Sequence, residues 1–202
     1  SLFLWRRNSL KGKFLLAGTL AYFLVSYLFY MVMAMYNELF LVYTALVSMS
    51  FFAFALIMFS FGLKDTSSYF SPGLPVKFIG AFLIFNAIAI AAMWLGIIVA
   101  PLADGTIYPA AVEHYTTLIV QGLDLSILLP VGFLSGVLLI KKNSFGYLLG
   151  PVYMVFLSIL MTALTAKIIG MNLVGVSPGP AIIIIPLFNV NAVTCVCLIL
   201  RN

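Results

Sequence analysis

The sequence predicts an all-α fold: one bundle of six transmembrane helices over residues 1–202, with the N and C termini both cytoplasmic. Three observations predict it. Hydrophobic residues make up 64% of the 202-residue chain and charged residues 7%, with a mean hydropathy of +1.22. A water-soluble domain of this size could not hide that much apolar surface. The apolar residues also gather into six stretches, each close to the ~20 residues that cross ~30 Å of hydrocarbon as a helix. Finally, nine of the ten Lys and Arg residues fall on one side of those stretches.

The spans run over Phe14–Tyr36, Leu39–Gly62, Val76–Ala100, Thr117–Ile140, Phe145–Ile168 and Pro180–Leu200. Barrel strands are excluded, because they need only about 10 residues and alternate in polarity. The first span exceeds the 7–15 residues of a signal-peptide core, and Met33–Asn37 lacks an A-x-A-like cleavage site, so it reads as a membrane helix. The chain opens on Ser1 rather than Met, and a few preceding residues are expected. Between spans 2 and 3, the Lys64–Pro75 linker KDTSSYFSPGLP is turn-rich and sets Tyr69 and Phe70 at the headgroup level. Span 3 carries Asn86 at mid-depth and a small-residue stripe of Ala92, Gly96 and Ala100 in its outer half.

Spans 4 and 5 carry Gly132-x-x-x-Gly136 and Gly146-x-x-x-Gly150 on either side of a tight Lys141–Ser144 turn. Small residues four apart let backbones approach closely, so these two helices are expected to pinch together near the cytoplasm and part further out. Span 6 is preceded by GVSPGP and contains Pro186, which predicts a kinked or partly broken helix. Cys195 and Cys197, two apart, point to nearly opposite faces of that helix and cannot pair or share a metal.

The inner side receives Arg6, Arg7, Lys11, Lys13, Lys64, Lys77, Lys141, Lys142 and Arg201, and the outer side only Lys167. This asymmetry orients the bundle, and the net charge of +5 therefore reports topology rather than nucleic-acid binding. The expected setting is a multi-pass protein of a cell membrane, a bacterial or archaeal inner membrane.

The candidate site lies on the fourth span. His114, Thr117, Gln121 and Asp124 are spaced to share one helical face running in from the outer surface. A carboxylate at that depth is costly unless it meets a partner, water or the bundle interior, which makes Asp124 a candidate proton or cation acceptor. Asp124 and Gln121 would otherwise serve as helix–helix hydrogen bonds. Asn37 and Glu38 sit at the outer turn between spans 1 and 2, and Lys167 is the candidate counter-ion for Asp124, Glu113 or Glu38 unless it snorkels to the interface. Asn189 and Asn191 follow Pro186, a polar pair beside an expected helix break. His114 and Glu113 are weak metal candidates, since their spacing with the other acidic residues is not diagnostic. No H-E-x-x-H, G-x-S-x-G or phosphate-cradling Gly loop is present, and no cofactor is indicated by the sequence.

The stretches GTLAYFLVSYLFYMVMAMYNELFLVYTALVSMSFFAF and QGLDLSILLPVGFLSGVLLIKKNSFGYLLGPV resemble a group of small six-span bacterial membrane proteins of unknown function. The resembling elements are Ala21-Tyr22-Phe23, Tyr36-Asn37-Glu38-Leu39-Phe40, the Asp124-to-Pro130 segment and Gly146-Tyr147. They cover about half of the chain, and the resemblance implies no activity. Size and span number also match substrate-capture subunits of vitamin transporters, whose motifs are lacking. The leading expectation is transport or capture of a small molecule or ion at a site open to the outer face. The alternatives are an outer-leaflet enzyme acting on a lipid, and a non-catalytic subunit that packs against a membrane-protein partner or a second copy.

Overall fold

The computed structural model describes residues 9–62, 66–106, 108–109, 112–177, 179 and 181–201. Arg6, Arg7, Lys64, Asp65, Pro178 and Pro180 of the sequence reading lie outside them. Among the described residues there is no strand, and six helices are long and apolar enough to cross a membrane: α1 Leu10–Met33, α2 Phe40–Phe59, α3 Val76–Asp104, α4 Ile119–Ile140, α5 Ser144–Leu173 and α6 Ala181–Arg201.

The ends follow local chemistry. Ser9 caps α1 by accepting from Gly12 N at 3.4 Å, and Asn143 caps α5 by accepting from Phe145 N at 2.9 Å. α3 runs on past Ala100 and through Pro101 to Asp104, where Gly105 at φ 80° ends it. α5 continues past Ile168 to Leu173, so its 30 residues reach about 45 Å, more than the hydrocarbon needs. α4 starts at Ile119, two residues later than expected, so Thr117 and His114 belong to the preceding turns.

α5 is the central post. Half of its most apolar stretch is buried, against 11–28% for the other five helices. It packs against α1, α4 and α6, while α2 lies on α1 and α3 lies on α4. Its buried side chains Met154, Phe156, Leu157 and Met161 join Ile79 and Leu83 of α3 and Cys195 of α6 in one core. In lipid the force holding such helices is close van der Waals packing rather than a hydrophobic effect, which favours small residues at crossings. Gly146 and Gly150 of α5 both face Leu139 of α4, and Gly146 lies directly against the Leu138–Leu139 backbone. The α4 pair divides between two neighbours. Gly132 faces the Tyr153 ring of α5, whereas Gly136 and Gly80 of α3 bring their backbones together. The small-residue stripe of α3 makes no such crossing at its centre, since nothing lies within 4 Å of a Cβ built at Gly96.

At the end of the bundle that carries the α2–α3 linker, Thr66 is fully buried and donates to the Ser144 carbonyl at 2.8 Å, tying the short 3-10 turn Thr66–Tyr69 to the start of α5. Phe70 follows that turn, half-buried, stacked on Tyr147 and packed on Phe14 at the end of the bundle.

Candidate functional site

The irregular helix is α4, not α6. α6 runs unbroken through Pro186, which removes one donor near the start of the helix. In α4, Pro130 cannot donate to the Ser126 carbonyl four residues back, and the helix widens into π geometry over Asp124–Leu128. Leu129 N reaches Asp124 O instead of the carbonyl four residues back. A widened turn of this kind changes the register between the helix segments before and after it. π-Bulges of this kind concentrate at functional sites.

Asp124 opens that widened turn, roughly 8 Å along α4 from its first residue. It is half-buried, and its Oδ2 accepts a 2.8 Å hydrogen bond from Trp94 Nε1 on α3. A carboxylate can accept about four hydrogen bonds, so one indole donor leaves most of its capacity open. On the α5 side, Tyr153 is buried and donates to the Leu128 carbonyl at 2.9 Å, at the other end of the same turn. Three helices thus meet around the widened turn.

Beside it runs a groove of about 540 Å³ between α1, α2, α4 and α5. Its walls include Leu24 and Leu28 of α1, Phe51 of α2, Ile127 and Val131 of α4, and Tyr153 and Phe156 of α5. No charged side chain lines it, and the Tyr153 hydroxyl is committed to the Leu128 carbonyl. α1 and α4 approach each other at the first turn of α4, Ile119–Leu123, and Leu123 of that turn also lines the groove. Both α4 and α5 wall this space, together with α1 and α2, while Tyr153 packs against Gly132 where α4 and α5 cross.

The structure scatters the other sequence candidates. Gln121 is half-buried on the first turn of α4, about one turn N-terminal to Asp124. Asn37 is exposed and folds its own turn, donating to the Met35 carbonyl at 2.9 Å and accepting from Leu39 N at 2.8 Å. Glu38 is exposed beside it. Lys167 is exposed on α5, and the side-chain partner of Asp124 is Trp94 rather than this lysine. Asn189 reaches across to α5, its Oδ1 3.0 Å from Thr162 Oγ1, while Asn191 donates back to Leu187 O of its own helix at 2.8 Å. Glu113, at φ 50°, and His114, its ring tilted against that of Tyr115, are exposed in the loop. Among the described residues no three His, Cys, Asp or Glu side chains converge as a metal site would need. Asn86 is 2% exposed on α3, and its Oδ1 accepts no hydrogen bond.

The residues that sequence reasoning missed are Trp94, Tyr153 and Pro130. Pro130 carried a signal, as a proline inside an apolar run one and a half turns after an acidic residue. Trp94 and Tyr153 carried none, because ring polarity shows only once a partner faces it. Fold and site together define a multi-pass, all-helical membrane protein with a single carboxylate set at a π-widened turn. The chain matches no protein-family model, no curated protein and no solved structure.

Proposed function

We propose that the protein captures or transports a small cationic ligand, taken up from the non-cytoplasmic side and anchored on Asp124. The orientation rests on the nine-to-one division of basic residues, which sets α1, α3 and α5 running outward from the cytoplasm. The observation that carries the reading is the setting of Asp124. It is an acidic residue within the span, at a break in helical regularity, and holds one protein hydrogen bond. Helix irregularity at membrane depth is tolerated where it serves a cavity, and intramembrane carboxylates are retained for ion or substrate handling. Gln121, one turn outward, lies on the approach to Asp124, whereas Glu38, Asn37, Lys167, Asn189 and Asn191 are too dispersed to share its ligand.

The test is a thermal-shift panel of alkali cations and small amines on the purified full chain, repeated for Asp124→Asn between pH 5 and 8. At least one member should raise the melting temperature of the wild type and leave the variant unmoved. A variant that responds as the wild type does removes the anchor. Labelling of a His114→Cys variant in intact cells by a membrane-impermeant maleimide checks the orientation, and protection from the reagent contradicts it.

A further inference from the structure

We infer that an anionic phospholipid is held by its phosphate at the end of the bundle where α1 starts and α6 ends. A crevice of about 220 Å³ lies there between the first turns of α1, the linker at Tyr69 and Phe70, and the last turn of α6. It stands independently of the capture reading, since Asp124 does not line it. Its polar lining is Ser9, Lys11 and Tyr69, with no acidic side chain. Lys11 is exposed and pairs with no carboxylate among the described residues, whereas Lys13 is committed to the Ser60 carbonyl at 3.2 Å and to the Phe61 ring. Ser9 Oγ accepts from Gly12 N, which leaves its own proton free to donate. The exposed Tyr69 hydroxyl has no protein partner among the described residues. An ammonium with two hydroxyl donors is the donor set of a phosphate oxyanion.

The rest of the lining decides between a free phosphate and a lipid. Leu10, Phe14, Phe70, Ile199 and Leu200 are apolar, and Phe14 and Ile199 are buried while Lys11 and Tyr69 are exposed. A soluble phosphate would leave that apolar side unmatched, whereas the glycerol and first methylenes of a phospholipid cover it. The volume falls below the 300–1,000 Å³ of sites that enclose a whole ligand, so it suits a headgroup and the start of a chain. Depth agrees, because the crevice sits at the ends of two spans, where hydrocarbon gives way to headgroups. Charge agrees as well. The helix ends and linkers on this side carry nine Lys and Arg residues in sequence against one acid, Asp65, a balance that gathers anionic over zwitterionic lipid.

The test is native mass spectrometry of the full chain released from micelles, titrated with dioleoylphosphatidylglycerol or with phosphatidylcholine of the same chains. The first phosphatidylglycerol should bind about tenfold more tightly than the first phosphatidylcholine. Lys11→Gln should weaken that first adduct about fivefold, the effect of one basic group at an anionic headgroup. Lys141→Gln, exposed at the same end but outside the crevice, should weaken it less than twofold. Leu200→Trp, from a half-buried wall position, should fill the crevice and abolish the tight adduct, and Leu10→Trp repeats the block should Leu200→Trp not fold. Equal retention of the two lipids overturns the inference. So does an equal effect of Lys11→Gln and Lys141→Gln, which would mean diffuse attraction to the basic end only. A tight adduct kept in the folded tryptophan variant puts the lipid elsewhere and overturns the crevice. Displacement of the lipid by inorganic phosphate makes the ligand a free phosphate and overturns the lipid.

Discussion

Replacing Gly146 by alanine tests the packing that holds α4 against α5. The new Cβ would lie within hard contact of the Leu138 carbonyl group and the Leu139 amide nitrogen. These are backbone atoms and cannot turn aside as a side-chain tip would. An ordinary carbon–carbon contact needs about 3.5 Å, so the two helices must part by roughly 1 Å along this crossing. Overpacking of this kind costs about 1–3 kcal/mol, and the backbone wall puts Gly146 near the upper end. Alanine recovers about 1 kcal/mol through its higher helix propensity, leaving a net loss of about 2 kcal/mol. At about 2–4 °C per kcal/mol for a chain of this size, the melting temperature should fall by about 4–8 °C. Cys195 is fully buried and supplies the reporter. In a Cys197→Ser background, a fluorogenic maleimide reacts with Cys195 as the bundle opens. Gly96→Ala is the control, since nothing lies within 4 Å of its Cβ, and it should melt at or slightly above the wild-type temperature. A Gly146→Ala protein melting with the wild type would show that the α4–α5 crossing is not set by that glycine.

Two further expectations concern the widened turn. Trp94→Phe removes the donor to Asp124 Oδ2; hydrogen bonds to charged groups contribute about 1.5–3 kcal/mol, and a double-mutant cycle with Asp124→Asn in the same melting assay should return coupling of about 1 kcal/mol or more, strict additivity being the contrary result. Pro130→Ala restores a donor for the Ser126 carbonyl, so the turn should relax to α geometry and rotate its outer part by roughly 100°, taking Asp124 away from Trp94. In a Trp5→Phe background the emission of Trp94 should shift; an unchanged spectrum would mean that the proline does not hold the π turn open.

Much of the fold was legible because the bilayer is a severe solvent. Twenty apolar residues in a row have one inexpensive way to cross it, and the span centres read from hydropathy coincide with α1 to α6. Their ends were less legible. α3 and α5 run beyond the expected limits because helix continuation past the hydrocarbon depends on caps such as Gly105, not on hydropathy. Phe70 read as an interfacial aromatic, and its stacking on Tyr147 and tilted contact with Phe14 are partners that its own neighbours in sequence do not announce.

The site divides along the same line. By itself the sequence determined the solvent, the number of crossings and the presence of a carboxylate inside the fourth one, since each follows from composition taken locally. Which proline would deform its helix was a tertiary decision. Pro101, Pro151, Pro186 and Pro130 all lie inside helices, yet among the described residues only the turn before Pro130 adopts π geometry. That turn is held from two sides, by Trp94 of α3 on Asp124 and by Tyr153 of α5 on the Leu128 carbonyl. A missing backbone donor permits the deformation, and long-range partners supply the hydrogen bonds that retain it. The groove has the same origin: it is walled by α1, α2, α4 and α5 together, a relation between segments about a hundred residues apart.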